Sequence, residues 1–327
     1  MPTKYIVITT INQPTEAVVQ FAAMRDWQLV VVGDTKTPKD WRFRDVVYLS
    51  PEDQAQMKSE LVRNLPWKTY SRKMAGYIFA LQNGAELIAE TDDDNIPYEG
   101  WDSHVFDGDY QTVEHRGFVN IYQYFSTEHV WPRGFPLTDI GGRVTPEVQT
   151  EKKAGTSVGI WQFLADEDPD VDAIYRLTVN KPIYFQAGPK LSFAPGTVCP
   201  FNSQNTFFRK ETFPLMYLPV HVTFRFTDIL RGLVAQPILW AAGYTLCFGR
   251  ATVIQKRNPH DYLADFESEI PCYLYPKRIL EAVQNAVTEK NGIVGNMRAA
   301  YEALLQQNIV KPEEITLLEK WLTHFST

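Results

Sequence analysis

Asp92, Asp93 and Asp94 stand side by side behind the apolar run Leu87-Ile88-Ala89. Adjacent like charges repel, so folding alone gives little reason for such a cluster. Two or three carboxylates on one turn make a hard-oxygen seat for Mg2+ or Mn2+. Few protein ligands suffice where a substrate diphosphate supplies the other oxygens, and the cation then neutralises charge developing on a departing nucleoside diphosphate. That is the logic of a D-x-D motif. The alternative is a solvated turn, because Asp and Asn crowd turns without any function. Rival chemistries fit poorly. A phospho-aspartate enzyme would want DxDx[TV], whereas Asn95-Ile96 follows here. The chain has no GxxxxGK[ST] phosphate loop.

Other polar groups draw attention by position. Arg72 and Lys73 open a helical pattern, where cations oppose the helix dipole; a bound anion would explain Arg72, and a solvated pair is the alternative. Asp168, Asp170 and Asp172 form a second acid group in "DEDPDVDAIYR". Asp near a helix start is stabilising without function, and Asp172 is placed to pair with Arg176 one turn on.

The elements that must position these groups follow from periodicity. "KYIVITTI" before "NQPTEA" predicts a buried strand running into a loop and helix, and Leu29 to Val32 a second strand ending at Gly33-Asp34. "SRKMAGYIFALQNGA" has helical spacing and stops at Gly84. "ELIAETDDD" is then a third strand carrying the acids at its carboxyl end. This alternation predicts a parallel sheet with crossover helices, whose ligands bind outside the carboxyl ends of strands. Further on, "GFVNIYQYFS", "TSVGIWQFLAD", "PIYFQ", "LSFAP" and "NTFFRK" read as strands, "DPDVDAIYRL" as a helix, and "FTDILRGLVAQPILWAAGY" as a helix kinked near Pro237. From Pro276 the pattern is wholly helical. The expected organisation is an α/β domain over residues 1–275 and a C-terminal helical region over 276–327. Its apolar faces would pack on that domain or on another subunit, which allows a homo-oligomer.

Composition narrows the class. The net charge of the 327 residues is −7, with acid and base interleaved, so no basic face points to a nucleic-acid partner. Cys199, Cys247 and Cys272 are dispersed, odd in number and without a CxxC pair, which argues against a disulfide framework or zinc site and suits a reducing compartment. The N-terminus lacks a signal-peptide pattern, no window is long and apolar enough for a transmembrane segment, and no N-x-S/T sequon occurs. A soluble cytoplasmic protein is expected.

Five blocks carry a resemblance: "YSRKMAGYIFALQNGAELIAETDDDN", "VWPRGFPL", "DPDVDAIYRLT", "APGTVCPFNSQNTFF" and "LPVHVTFRFTDILRGLVAQPILWAAGY". Their order over most of residues 1–270 resembles the glycosyltransferase domain of the STELLO proteins, a plant Golgi family. More distantly, the cluster is similar to that of plant UDP-arabinopyranose mutases. The resemblance implies an α/β GT-A fold, a Rossmann-like nucleotide-diphospho-sugar transferase sheet. Plant members carry a cytosolic tail and membrane anchor that are not expected here, so their Golgi location does not transfer.

Carried over by position, Asp92 and Asp94 would be the outer acids of the D-x-D, with Asp94 foremost as ligand to Mn2+ or Mg2+. Asp93 would support them or touch the sugar. Thr9, Thr10, Asn12 and Asp34 would hold the nucleoside. His260 would complete the metal shell, and Arg257 and Asn258 would contact phosphate. Asp228 begins a helical pattern in "TDILRG" and would be the base of an inverting transfer, the alternative being an N-cap. The implied function is metal-dependent transfer from a nucleotide-diphosphate sugar, a UDP-sugar foremost, to a glycan or other hydroxyl acceptor. The alternatives are a nucleotide-sugar mutase and a non-catalytic GT-A-like scaffold.

Overall fold

A computed structural model of the chain describes residues 3–141, 150–257 and 260–325. Its first strand, β1 (Lys4–Thr10), sends Tyr5 and Val7 to one face and Ile6 and Ile8 to the other, and all four are buried. A strand apolar on both faces needs a covering layer on each side. α1 (Glu16–Ala22), capped by the Thr15 hydroxyl, leads to β2 (Gln28–Gly33), parallel to β1, and β3 (Val47–Leu49) extends the sheet in the same sense. α2 (Pro51–Gln56), α3 (Glu60–Asn64) and α4 (Lys73–Gln82) then precede β4 (Leu87–Thr91), parallel to β1 on its other edge. Gly84, at φ 78°, supplies the left-handed turn between α4 and β4.

The chain continues through β5 (Asn95–Pro97), β6 (Asp107–Val113), β7 (Gly117–Phe118), β8 (Thr150–Asp166), α5 (Ala173–Thr178), β9 (Leu191–Phe193), β10 (Thr197–Val198), β11 (Asn205–Arg209), α6 (Thr227–Ala241) and β12 (Thr245–Gln255). The main sheet is ordered β3-β2-β1-β4-β11-β8-β6-β9-β12-β5, with β8 also paired along β12. β11 is antiparallel to both β4 and β8, and β12 is parallel to β8. The carboxyl ends of β1, β2, β4, β8 and β12 therefore open on one edge, where ligands of such sheets bind. A large mixed sheet between helices is consistent with the expected GT-A-like architecture.

Two expected strands are shortened. "GFVNIYQYFS" pairs only at Gly117–Phe118 and then coils into a 3-10 turn at Ile121–Tyr124, because the Asn120 side chain accepts the Tyr122 N–H at 3.2 Å. "PIYFQ" contributes only a bridge at Ile183. α6 runs through Pro237. It also needs Gly232, since a Cβ there would meet the Phe201 carbonyl oxygen at 2.3 Å.

After β12 come α7 (Tyr262–Leu274), α8 (Pro276–Ala286), α9 (Gly292–Gln306) and α10 (Pro312–Leu322). The expected boundary at 275/276 falls between α7 and α8. Met297, Ala300, Leu304, Leu318 and Trp321 nevertheless share one apolar cluster with Tyr77 and Ile78 of α4. Trp321 donates its indole N–H to the Pro214 carbonyl at 2.9 Å. Among the described residues, no helix is long and apolar enough to cross a membrane.

Beneath the acid cluster, Glu90 of β4 and Arg231 of α6 form a buried ion pair at 2.6 Å, and the Tyr77 hydroxyl also donates to Glu90. Removing one member strands a buried charge, whereas removing both does not. Arg231→Met should lower unfolding stability by about 3–5 kcal/mol. Glu90→Leu combined with Arg231→Met should lose less than that single change, as read from chemical denaturation.

Candidate active site

A cavity of about 640 Å3 lies at the converging strand ends. Thr9, Thr10 and Asn12 at the end of β1, Asp34 just after β2, Asp92 to Asp94 just after β4, and Gln255 and Arg257 at the end of β12 line it. The three acids have three different environments. Asp92 Oδ1 accepts from the Lys73 ammonium at 2.8 Å and the Tyr70 hydroxyl at 2.9 Å. Lys73 is fully buried and also bonds the Thr91 carbonyl, so the expectation of a solvated Arg72-Lys73 pair is wrong for this residue. Asp93 Oδ2 accepts from the Thr10 hydroxyl and, at 3.0 Å, from the Asn12 amide. Burial raises its pKa, and those two hydrogen bonds oppose the rise. Asp94 Oδ2 accepts from Gln255 at 3.2 Å, while its buried Oδ1 has no partner. Burial first, then the charges of Asp92 and Asp93, push the Asp94 carboxyl up to about 7.

At the β1–β2 end, Asp34 is held in the wall. Its Oδ2 accepts the Lys68 N–H at 2.7 Å and its Oδ1 the Thr35 N–H at 2.6 Å. Thr37 bridges this turn to β1 by donating to the Thr10 carbonyl at 2.6 Å. Arg72 lines the cavity, but its guanidinium turns into the protein. Nη1 donates to the Val62 and Leu65 carbonyls at 3.0 Å each, Nε to Gln54 at 2.9 Å, and the group lies 3.8 Å from the centre of the Trp67 ring. Those carbonyls close α3, so Arg72 satisfies a helix C-terminus, a need that sequence spacing does not display. Burial lowers its pKa to about 10, opposed by Asp34.

The opposite wall is built around a buried arginine that sequence reading missed. Arg133 makes two 2.8 Å bonds to Asp170 and two 3.0 Å bonds to Asp228. Burial alone would raise Asp170, yet Arg133 and Arg225 hold it down at about 2. Asp170, read from sequence as a helix-start acid, thus belongs to the cavity. Asp172 is the residue that caps α5, accepting the Tyr175 N–H at 2.9 Å, and Arg176 pairs with Asp168 instead of Asp172. The N-cap alternative for Asp228 is also overturned. α6 begins at Thr227, directly after a 3-10 turn, and Phe226 occupies the cap without a side-chain bond. Asp228 lies inside the first turn, where Ser203 donates to it through its N–H at 3.3 Å and its hydroxyl at 3.2 Å.

Arg257 extends from the end of β12. Its side chain is only 8% exposed, its nearest carboxylates stand at 3.8 Å (Asp168) and 3.7 Å (Asp265), and its Nε has no hydrogen-bond partner. Burial and the nearby Arg225 and Arg176 lower its pKa. His260 lines the same cavity, with Nδ1 3.0 Å from Asp265. Asn258 lies outside the described residues. Among the described residues, no three or more His, Cys, Asp or Glu form a ready metal-binding group. His260 faces Asp265, and Lys73 holds one oxygen of Asp92. The free Asp94 Oδ1 still fits a divalent cation whose remaining ligands come from elsewhere.

Residues 225–327 match the family model described as STELLO glycosyltransferases. The chain is 32% identical over 260 residues to the probable glycosyltransferase STELLO2 of Arabidopsis thaliana, covering 73% of this chain and 34% of that protein. It is 31% identical over 260 residues to the probable glycosyltransferase STELLO1 of the same plant, with the same coverage. The chain thus spans about a third of the length of the curated relatives it matches.

The raised Asp94 carboxyl sets a pH dependence. Its folded-state pKa near 7 lies above the ordinary value of 3.8, so folding favours the protonated form. Stability is lost as pH rises between those values, and the penalty is complete above about 7. Asp94→Asn should therefore raise the unfolding temperature of the metal-free protein at pH 8 by about 2 °C. The gain should shrink toward pH 5 in differential scanning calorimetry.

Proposed function

With the likeness to the STELLO glycosyltransferases as premise, we propose that this cavity binds a nucleotide-diphosphate sugar, a UDP-sugar foremost, and transfers its sugar to a glycan or other hydroxyl acceptor in a divalent-cation-dependent reaction. One observation carries the reading. Two side chains that line the cavity each bury an atom without a hydrogen-bond partner, the carboxylate oxygen Asp94 Oδ1 and the guanidinium nitrogen Arg257 Nε. A diphosphate bound with a divalent cation satisfies both, the cation at Asp94 and phosphate oxygens at Arg257.

The roles follow from position. Asp94, supported by Asp92, would hold Mn2+ or Mg2+. The cation would neutralise charge developing on the leaving diphosphate. Thr9, Asn12 and Asp34 lie where the nucleoside would sit, at the ends of β1 and β2. Asp93 fastens β4 to β1 through Thr10 and Asn12, and so keeps the acid turn in register with that end. Arg257 donates to phosphate, and the buried Arg133 fixes the direction of Asp228. Inverting transfer needs a base for the acceptor hydroxyl's proton, and Asp228 is the carboxylate we assign to it.

Two outcomes test this. UDP affinity, measured by isothermal titration, should require Mn2+ or Mg2+ and fall at least about tenfold in Asp94→Ala and in Arg257→Met, equivalent to one lost charge-assisted contact. Equal affinity in excess chelator contradicts the metal seat. Asp228→Asn should retain metal-dependent UDP affinity yet lose transfer by at least ~100-fold. Near wild-type transfer removes the base role.

A further inference from the structure

Phe224 and Arg225 line the cavity ahead of α6, and the C-terminal helices hold the Val220–Phe226 stretch that carries them at several points. Glu314 of α10, fully buried, accepts the N–H groups of Val220 at 2.9 Å and His221 at 2.7 Å. Ser268 of α7 accepts the Thr223 hydroxyl through its carbonyl at 2.5 Å and the Arg225 N–H through its own hydroxyl at 3.1 Å. Arg225 is further tied to Glu269 at 2.8 Å. On this anchored stretch, Phe224 is 56% exposed and lines the cavity. Its ring stands edge-on to Tyr70 at 5.8 Å. Tyr70 in turn donates to Asp92, and Ser203 bonds both Tyr70 and Asp228.

A single exposed phenylalanine is ordinary on a protein surface. This one differs because the backbone under it is fixed on both sides and its ring is turned into a polar cavity. Arg225 and Asp228 line the same cavity, and an apolar ring in a cavity that also holds a guanidinium and a carboxylate matches a pyranose, which offers a C–H face and a hydroxylated edge. Phe224 belongs to the segment that carries Asp228, whereas the nucleoside-side residues Thr9, Asn12 and Asp34 come from the ends of β1 and β2. Resting on the donor-site reading above, we propose that Phe224 is the stacking platform for the acceptor sugar, and that the C-terminal helices, through Glu314 and Ser268, position it. The acceptor is then a saccharide rather than a protein or lipid hydroxyl.

The test loads the full chain with UDP and Mn2+ and measures binding of β-1,4-linked glucose, xylose, mannose and galactose disaccharides by saturation-transfer NMR. UDP titration runs in parallel on the wild type, Phe224→Ala and Phe224→Trp. The wild type should bind at least one disaccharide. Phe224→Ala should weaken that binding about tenfold, the order expected when one aromatic face is uncovered, and Phe224→Trp should retain it. UDP affinity should be equal in all three. Undiminished disaccharide binding by Phe224→Ala overturns the platform, as does equal loss in Phe224→Trp or no disaccharide binding by the wild type. A fall in UDP affinity with Phe224→Ala would assign the ring to the nucleoside instead. Failure of the donor reading is separate, because it appears as absent UDP binding by the wild type.

Discussion

Three carboxylates on consecutive residues cannot share one strand end unless each is compensated separately, and much of this structure is arranged to do so. Lys73 reaches Asp92 from the first turn of α4, with Tyr70 as second donor. Thr10 and Asn12 reach Asp93 from the end of β1. Gln255 reaches one oxygen of Asp94 from the end of β12. Three elements are thereby fixed to the acid turn, and one buried carboxylate oxygen, Asp94 Oδ1, is left without a hydrogen-bond partner. A partnerless buried carboxylate is costly, and Asp94 shows it in a carboxyl pushed up to about 7. Asp94 lines the cavity, and we read its unfilled valence as the place of a bound cation.

The second wall follows the same rule with opposite sign. Arg133 is buried between Asp170 and Asp228, and each carboxylate gains a bidentate partner while the guanidinium is matched on both sides. The walls are joined by short polar links, from Asp92 through Tyr70 and Ser203 to Asp228. Below them Glu90, Arg231 and Tyr77 join β4, α6 and α4 within the core. The site is consequently held by rigid elements on every side, including α7 and α10, which brace the Phe224 rim. The C-terminal helices thus contribute to site geometry as well as to core packing.

The sequence displayed what is local. Apolar runs marked β1, β2 and β4, the break at Gly84 marked the end of α4, and the acids were visible at a strand's carboxyl end. What it hid depends on long-range contact. Arg133 lies 37 residues from Asp170 and 95 from Asp228, and nothing in "VWPRGFPL" shows that its arginine is buried between them. Arg72 and Lys73 are adjacent and chemically alike, yet one caps α3 and the other neutralises Asp92, because successive helical residues point in different directions. The antiparallel insertion of β11 between β4 and β8 was equally invisible, since "NTFFRK" fits either strand direction. Asp228 looked like a cap because a 3-10 turn that feeds directly into a helix has no separate sequence signature.

The diphosphate of a nucleotide sugar, with its cation, is expected to fill the two atoms left without hydrogen-bond partners, Asp94 Oδ1 and Arg257 Nε. Crystals grown with UDP and Mn2+, measured at the manganese absorption edge, test it most directly. One anomalous peak is expected within coordination distance of Asp94 Oδ1, with diphosphate oxygens in contact with both that ion and Arg257. Manganese located away from Asp94, or a diphosphate that does not touch Arg257, contradicts it.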